Sequence, residues 1–306
     1  MRQTFITTVE KLAQTDPRLV VLTGDLGFTV LENFRDQFPD RFFNLGVAES
    51  NLMSVAAGMA LSDQIPIVYS ISNFVTLRPF EFIRNDIGYQ NANVKIVGVG
   101  GGFGYGLAGI THQNLEDISL LKTIPNLTII SPSDPIETAI LTRLAIKHQG
   151  PVYLRLGKVG ESNLHSKSPK LKLGQGFIFN QGTKLAIFTA GGITANVLEA
   201  CKILKTNQLN PTIINLHTIK PLDTKLIIKI ASQHQHLFSV EEHLLVGGLG
   251  SSLAEILVDK HLPTPLTRLG IKLYPKHHIG NQNFLRHLHG LSPQKIAQTI
   301  LTSLNE

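Results

Sequence analysis

The chain has 306 residues, 42% of them hydrophobic and 16% charged, with a formal net charge of +6 and a single cysteine. That size and apolar content predict one large domain or two ordinary ones around a substantial core, and exclude a disordered or low-complexity chain. No apolar run approaches a membrane span and the first ten residues lack the apolar core of a signal peptide; the scattered basic residues form no zinc finger and no aromatic–basic stripe, so neither a membrane nor a nucleic-acid role is expected.

Taken in order, residues 4–14 read as a helix. Leu19–Thr23 is a continuous apolar run ending at Gly24-Asp25. Residues 42–52 pass from a short apolar strand through Gly46 into a helix, Glu49–Leu61, that is apolar or small almost throughout. Strands are predicted at Ile65–Ile71, 94–99, 127–130 and Val152–Leu156, with helices at 79–89 and 135–148 between them. Short buried strands separated by helices indicate a parallel sheet covered on both faces. Residues 161–173 are rich in serine, lysine and proline and read as an exposed linker. The alternation then resumes. Strands are expected at 184–189, 212–216, 237–240 and 266–269. Helices are expected from Thr194 as cap to about Lys205, after Pro221-Leu222-Asp223, after Gly247-Gly248-Leu249-Gly250, and after Ser292-Pro293.

Three features carry chemistry. Glu49 is the one acid between Asp40 and Asp63, at the mouth of an apolar helix. A carboxyl there needs a partner. The helix dipole with an arginine is one possibility and a cofactor another. Second, residues 98–109 hold seven glycines. Gly104-Tyr105-Gly106-Leu107-Ala108-Gly109 matches G-x-G-x-x-G after a strand. But Ile110-Thr111-His112 stands where the helix should begin, and no acid follows at the distance of about 20 residues that a dinucleotide site needs. The remaining reading is a loop that is mobile or lies against a ligand, with His112 at its tip. Third, nine of the twelve histidines lie between His217 and His289. The pairs His234/His236, His277/His278 and His287/His289 have no nearby cysteine and no His-Glu-x-x-His spacing. They read as surface residues rather than metal ligands. No serine occupies a G-x-S-x-G elbow. Cys201 alone forms no internal disulfide, and the cytoplasm is the expected compartment.

Several stretches together resemble the transketolases. They are Asp25-Leu26-Gly27-Phe28, the run Phe38-Pro39-Asp40-Arg41 through Leu45-Gly46-Val47-Ala48-Glu49-Ser50-Asn51, and Leu77-Arg78-Pro79-Phe80-Glu81. Gly109-Ile110-Thr111-His112-Gln113, Pro132-Ser133-Asp134, Thr218-Ile219-Lys220-Pro221-Leu222-Asp223 and Glu241-Glu242-His243 with Gly247-Gly248-Leu249-Gly250 complete the set. The resemblance covers nearly the whole chain, yet only the C-terminal half of a full transketolase. It implies an α/β fold of two mainly parallel sheets flanked by helices: a pyrimidine-binding domain over 1–162, a linker over 163–173 and a transketolase C-terminal domain over 174–306.

The resemblance also implies a function. The family uses thiamine diphosphate to move a two-carbon ketol unit from a ketose to an aldose. Glu49 matches the glutamate that hydrogen-bonds the aminopyrimidine and drives a proton relay through the cofactor. Phe74 matches the aromatic that packs on the pyrimidine, and Asp25 and Leu26 are further expected cofactor-binding residues. His112 matches a histidine that contacts substrate hydroxyls. Arg2, 23 residues before Asp25, suits a sugar-phosphate arginine, and Lys158 stands where a second one is expected. An aspartate four residues before the histidine is replaced by Ala108, and an earlier histidine by Gly100, which departs from the usual sugar-phosphate pattern. No Gly-Asp-Gly motif for the metal and diphosphate is present. The resemblance therefore implies half of a split enzyme. A separate subunit would carry that motif and hold Mg2+ (or Ca2+), the chain would also self-associate about a two-fold axis, and the assembly would be a heterotetramer. Alternatives within the same architecture are a deoxyxylulose-phosphate-synthase-like enzyme and a 2-oxo acid dehydrogenase beta subunit. A non-catalytic regulatory homologue is a third.

Overall fold

The computed structural model describes residues 1–158, 160–274 and 278–304. His277 and the last two residues of the 174–306 segment lie outside that set. The first half contains α1 (Arg2–Ala13), β1 (Leu19–Thr23), α2 (Glu32–Gln37), β2 (Phe42–Asn44), α3 (Glu49–Leu61), β3 (Ile65–Ile71), α4 (Ser72–Thr76), α5 (Phe80–Phe82), β4 (Lys95–Val99), α6 (Asp117–Leu121), β5 (Thr128–Ile130), α7 (Pro135–Lys147) and β6 (Val152–Leu156). The second half adds β7 (Phe177–Asn180), β8 (Leu185–Thr189), α8 (Thr194–Thr206), β9 (Thr212–Asn215), β10 (Thr218–Lys220), α9 (Thr224–Gln233), β11 (His236–Leu244), α10 (Leu249–Asp259), β12 (Leu266–Ile271), α11 (Gln282–Leu288) and α12 (Pro293–Ser303).

Two sheets result. The first runs β10-β5-β6-β4-β3-β1-β2 and the second β12-β11-β8-β9-β7. Both are parallel except for β10 and β7, which are antiparallel edge strands. Strands β1, β4 and β6 are buried at every position, as apolar runs covered on both faces must be. Alternate residues serve different layers. Leu19, Val21, Ile67, Val97 and Leu154 join the α1 and α7 side, whereas Val20, Leu22, Val68, Ile96 and Tyr153 join the α3 side. Helix α3 buries Leu52, Met53, Ala56 and Ala57. Burying the two larger side chains is worth about 1.5–3 kcal/mol each, enough to fix the helix, and with it Glu49, against the sheet.

Register positions the site. Ile71 pairs with Val99, and Val99 with Leu156. Strands β3, β4 and β6 therefore end level, and the segments beginning at Ser72, Gly100 and Gly157 leave the sheet side by side. Carboxyl-end loops of a parallel sheet are where such folds place ligands.

Three expectations need correction, and β10 lies outside the strands expected. Strand β10 belongs to the first sheet although it lies in the second half of the chain, pairing Thr218 with Ile130. Thr194 does not cap α8: it is the first helical residue, because Gly191–Ile193 already forms a 3-10 turn ahead of it. The 161–173 linker is anchored rather than fully exposed. His165 is buried and its Nε2 donates to Glu137 Oε1 at 2.8 Å, while Leu171 packs into the core beside α7. The histidine-rich region is not uniformly at the surface either, for His217, His234 and His243 are buried. His234 is satisfied locally by Thr212 Oγ1 and Ile230 O, each at 2.8 Å. Among the described residues no group of three acidic, histidine or cysteine side chains is placed to hold a metal.

Candidate active site

Glu49 is the first residue of α3 and is 3% exposed. Arg78 Nη1 donates to its Oε2 at 3.0 Å. Its other oxygen, Oε1, is buried and has no hydrogen-bond partner. A buried carboxylate oxygen left unpaired is costly, so Oε1 is a ready acceptor for a group brought in from outside the chain. The Arg78 guanidinium lies over the Phe74 ring at 4.2 Å, a cation–π contact. Phe74 follows β3 and stands edge-on to His112 with centroids 4.9 Å apart. The loops carrying them are tied together, since Asn73 Nδ2 donates to Thr111 O at 2.5 Å. Beyond His112 comes Tyr105, 6.3 Å away between ring centroids. The Lys158 ammonium sits over the Tyr105 ring at 4.2 Å, and Arg2 Nε donates to Lys158 O at 2.7 Å.

Five residues expected from sequence are therefore joined into one row: Glu49, Phe74, His112, Lys158 and Arg2. Two that sequence reasoning missed complete it, Arg78 and Tyr105. Arg78 was visible as the only cation close after Phe74, and Tyr105 as the only aromatic between Gly104 and Gly109. Asp25 and Leu26 leave the end of β1 and, among the described residues, hydrogen-bond to no member of this row. Asp25 holds a left-handed backbone, with φ 56°. Its N–H donates to Asn44 Oδ1 at 2.9 Å, and Leu26 O accepts from Thr23 Oγ1 at 2.9 Å.

The glycine loop is closely approached, but by the protein itself. Phe103 N donates to Glu242 Oε1 at 2.6 Å. A Cβ on Gly102, whose φ is +71°, would lie 2.5 Å from that same oxygen. The loop is thus pinned to the second domain, which fixes Tyr105 and His112.

Behind the row lies a buried ionic cluster. Arg155 Nε donates to Asp117 Oδ2 at 2.7 Å, and Tyr153 Oη donates to the same oxygen at 2.8 Å. Burial works against the Asp117 charge, but Arg155 outweighs it and holds the carboxyl below the usual aspartate range. Arg155 also donates to Asn114 O and Glu242 O, linking the two domains. Nearby, burial pushes the Glu241 carboxyl up to about 7 despite hydrogen bonds from Leu249 N and Gly250 N. Burial lowers His243 to about 4. Its Nδ1 donates to Leu244 O at 2.7 Å, and its Nε2 accepts from Ser119 N at 3.4 Å, so the ring is neutral.

Two clefts flank the row, and neither is lined by Glu49, Phe74 or His112. The larger, about 470 Å3, separates the domains and meets the row at Lys158. The smaller, about 80 Å3, opens beside Leu26.

Comparison with known proteins gives a consistent result. Residues 1–160 match the transketolase pyrimidine-binding domain, and residues 174–296 the transketolase C-terminal domain. A putative transketolase C-terminal section of Methanocaldococcus jannaschii is 34% identical over 310 residues, covering 100% of this chain and 96% of that protein. One of the subunits of an apulose-4-phosphate transketolase of Phocaeicola vulgatus is 32% identical, covering 98% of this chain and 96% of that subunit. Among solved structures, a split-gene transketolase in an inactive beta4 tetramer superposes with a TM-score of 0.90 at 32% identity, covering 99% of this chain and 97% of that one.

Proposed function

Since the chain belongs to the transketolase family, we propose that it is the pyrimidine-binding, glutamate-bearing subunit of a split thiamine-diphosphate-dependent transketolase. It would transfer a two-carbon ketol unit from a ketose to an aldose. The observation that carries this reading is Glu49, a buried acid at a helix start with one oxygen held by Arg78 and the other unpaired. That donor set fits the aminopyrimidine edge of thiamine diphosphate, which supplies the carbon nucleophile when bound.

Each residue then has a task. Glu49 Oε1 holds or gives a proton at the pyrimidine ring nitrogen. Arg78 keeps Oε2 occupied, so only Oε1 is offered. Phe74 packs on the ring and, with Arg78 across it, keeps water from the carboxyl. His112 meets substrate hydroxyls. Lys158 and Arg2 meet an anionic end. Asp25 and Leu26 flank the cofactor from β1. The chain has no Gly-Asp-Gly sequence. The diphosphate and its Mg2+ or Ca2+ are assigned to a partner subunit that closes over Glu49, Phe74 and His112, in a heterotetramer with two copies of each chain. Relatives of this length are described as a C-terminal section and as a separate transketolase subunit, which supports a divided enzyme.

The test is reconstitution. The purified chain is expected to consume no hydroxypyruvate alone and to do so with thiamine diphosphate, Mg2+ and a partner chain carrying Gly-Asp-Gly. Turnover of pyruvate in place of hydroxypyruvate would favour the synthase or dehydrogenase alternative.

A further inference from the structure

Resting on that reading, one feature of the row bears on which sugars it accepts. From Tyr105, the ring and its neighbours, we infer that this residue sets the length of sugar phosphate held between His112 and the Lys158–Arg2 pair, and that it positions the Lys158 ammonium. The phenol neighbours both groups, its ring centroid 6.3 Å from that of His112 and 4.2 Å from Lys158 Nζ. It is half-buried and packs against the core on the α1 side, so the ring is a fixed obstacle and not a swinging one.

Gly100 supports the assignment. Its φ is +76°, and a Cβ there would lie 2.3 Å from Tyr105 Cδ2 and 2.4 Å from Cε2. The Cδ2–Cε2 edge of the ring therefore abuts residue 100 and takes the space any side chain at that position would need. Position 100 and position 105 form one unit, and the wall between His112 and the cations is Tyr105 in this chain.

The cations are available. Among the described residues neither Lys158 nor Arg2 has a carboxylate partner within ion-pair distance. A lysine on a flexible stem is a poor positioner of an anion unless something holds it. The Tyr105 face does so through the ring quadrupole. The Arg2 contact to Lys158 O fixes the backbone beneath. A substrate with a hydroxyl at His112 and a phosphate at Lys158 must cross one phenol ring, which favours short phosphorylated sugars over long ones.

The experiment compares Tyr105→Ala and Tyr105→Phe with wild type in the two-subunit complex, by calorimetric binding of D-glyceraldehyde 3-phosphate and D-ribose 5-phosphate. Kinetics with hydroxypyruvate as donor and the same two acceptors run in parallel. Tyr105→Ala should shift the ratio of the two dissociation constants, and of the two KM values, toward ribose 5-phosphate by about fivefold or more. Tyr105→Phe keeps ring and cation contact and should stay within about twofold. Gly100→Ala should lower Tm in wild type and lower it less in the Tyr105→Ala background. A binding ratio unchanged in Tyr105→Ala, or shifted as far by Tyr105→Phe, overturns the role of Tyr105. Absent hydroxypyruvate turnover by the wild-type complex overturns the transketolase reading instead, and leaves the binding ratio decisive.

Discussion

Replacing Glu49 by glutamine separates chemistry from stability at one position. The amide has nearly the same shape, and its oxygen can still accept from Arg78 Nη1, as Glu49 Oε2 does at 3.0 Å. What disappears is the charge and the ability to pass a proton at Oε1. The lost ion pair is worth little, because Arg78 is 50% exposed, and such pairs contribute about 0.2–1 kcal/mol after screening. The lost interaction with the α3 dipole is about 0.3–1 kcal/mol. Removing a charge from a site that is 3% exposed is favourable and offsets part of both. The net change should stay within about 1 kcal/mol, a Tm shift below roughly 4 °C. Positioned acid–base catalysis contributes about 10²–10⁴-fold, so hydroxypyruvate turnover by the reconstituted complex should fall by that much. Turnover and thermal unfolding are to be measured on the same preparations. Turnover within about threefold of wild type, or a loss accompanied by a Tm drop of more than about 10 °C, would refute the relay assigned to Glu49.

Other outcomes follow from neighbouring contacts. Arg78→Ala removes the partner of Glu49 Oε2 and the cation over Phe74. The apparent affinity for thiamine diphosphate in the two-subunit complex should weaken by about tenfold, read by cofactor titration. Asp117→Asn leaves the buried Arg155 guanidinium without its counter-charge, and urea unfolding should show a loss of about 3–5 kcal/mol. Glu241 gives a pH signature. Its folded pKa, about 7, is raised above 4.5, so the folded state binds the extra proton. Stability falls as pH rises through that window and levels off above 7, by about 3 kcal/mol in all. Urea midpoints of Glu241→Gln should therefore rise more, or fall less, with pH than those of wild type between pH 5 and 7. His243 acts in the opposite sense: its folded pKa is lowered from 6.5 to about 4, so its contribution is lost as pH falls below 6.5. An unchanged slope in Glu241→Gln would remove Glu241 as the source.

The residues that were legible in sequence share one property: a one-dimensional signal sufficed. Leu19–Thr23 and Val152–Leu156 are apolar runs because both sheet faces are covered. Glu49 stood out because nothing else nearby is charged. Where the signal depended on a distant partner, it was lost. Thr218–Lys220 carries one apolar residue, and only its pairing with β5 makes it a strand. His217, His234 and His243 are spaced without period because each is buried by a different contact. Arg78 is exposed and gained meaning only when Glu49 was found beside it. Tyr105 sat among glycines that read as a mobile or ligand-facing loop; Glu242 of the second domain packs on Gly102, and Gly101, Gly104 and Gly106 line the cleft between the domains.

The antiparallel strand β10 ties the order of synthesis to the making of the site. Without Thr218–Lys220, the β5 edge of the sheet that carries Glu49 would present unpaired N–H and C=O groups, the kind of edge on which chains aggregate. A nascent chain has therefore to reach Lys220 before its first sheet can close on that side, by which point β7, β8 and β9 of the second sheet have also been synthesised. Fragments cut within 161–173 should for the same reason be poor stand-ins for the first domain, and a split enzyme has cause to keep these two domains on one polypeptide.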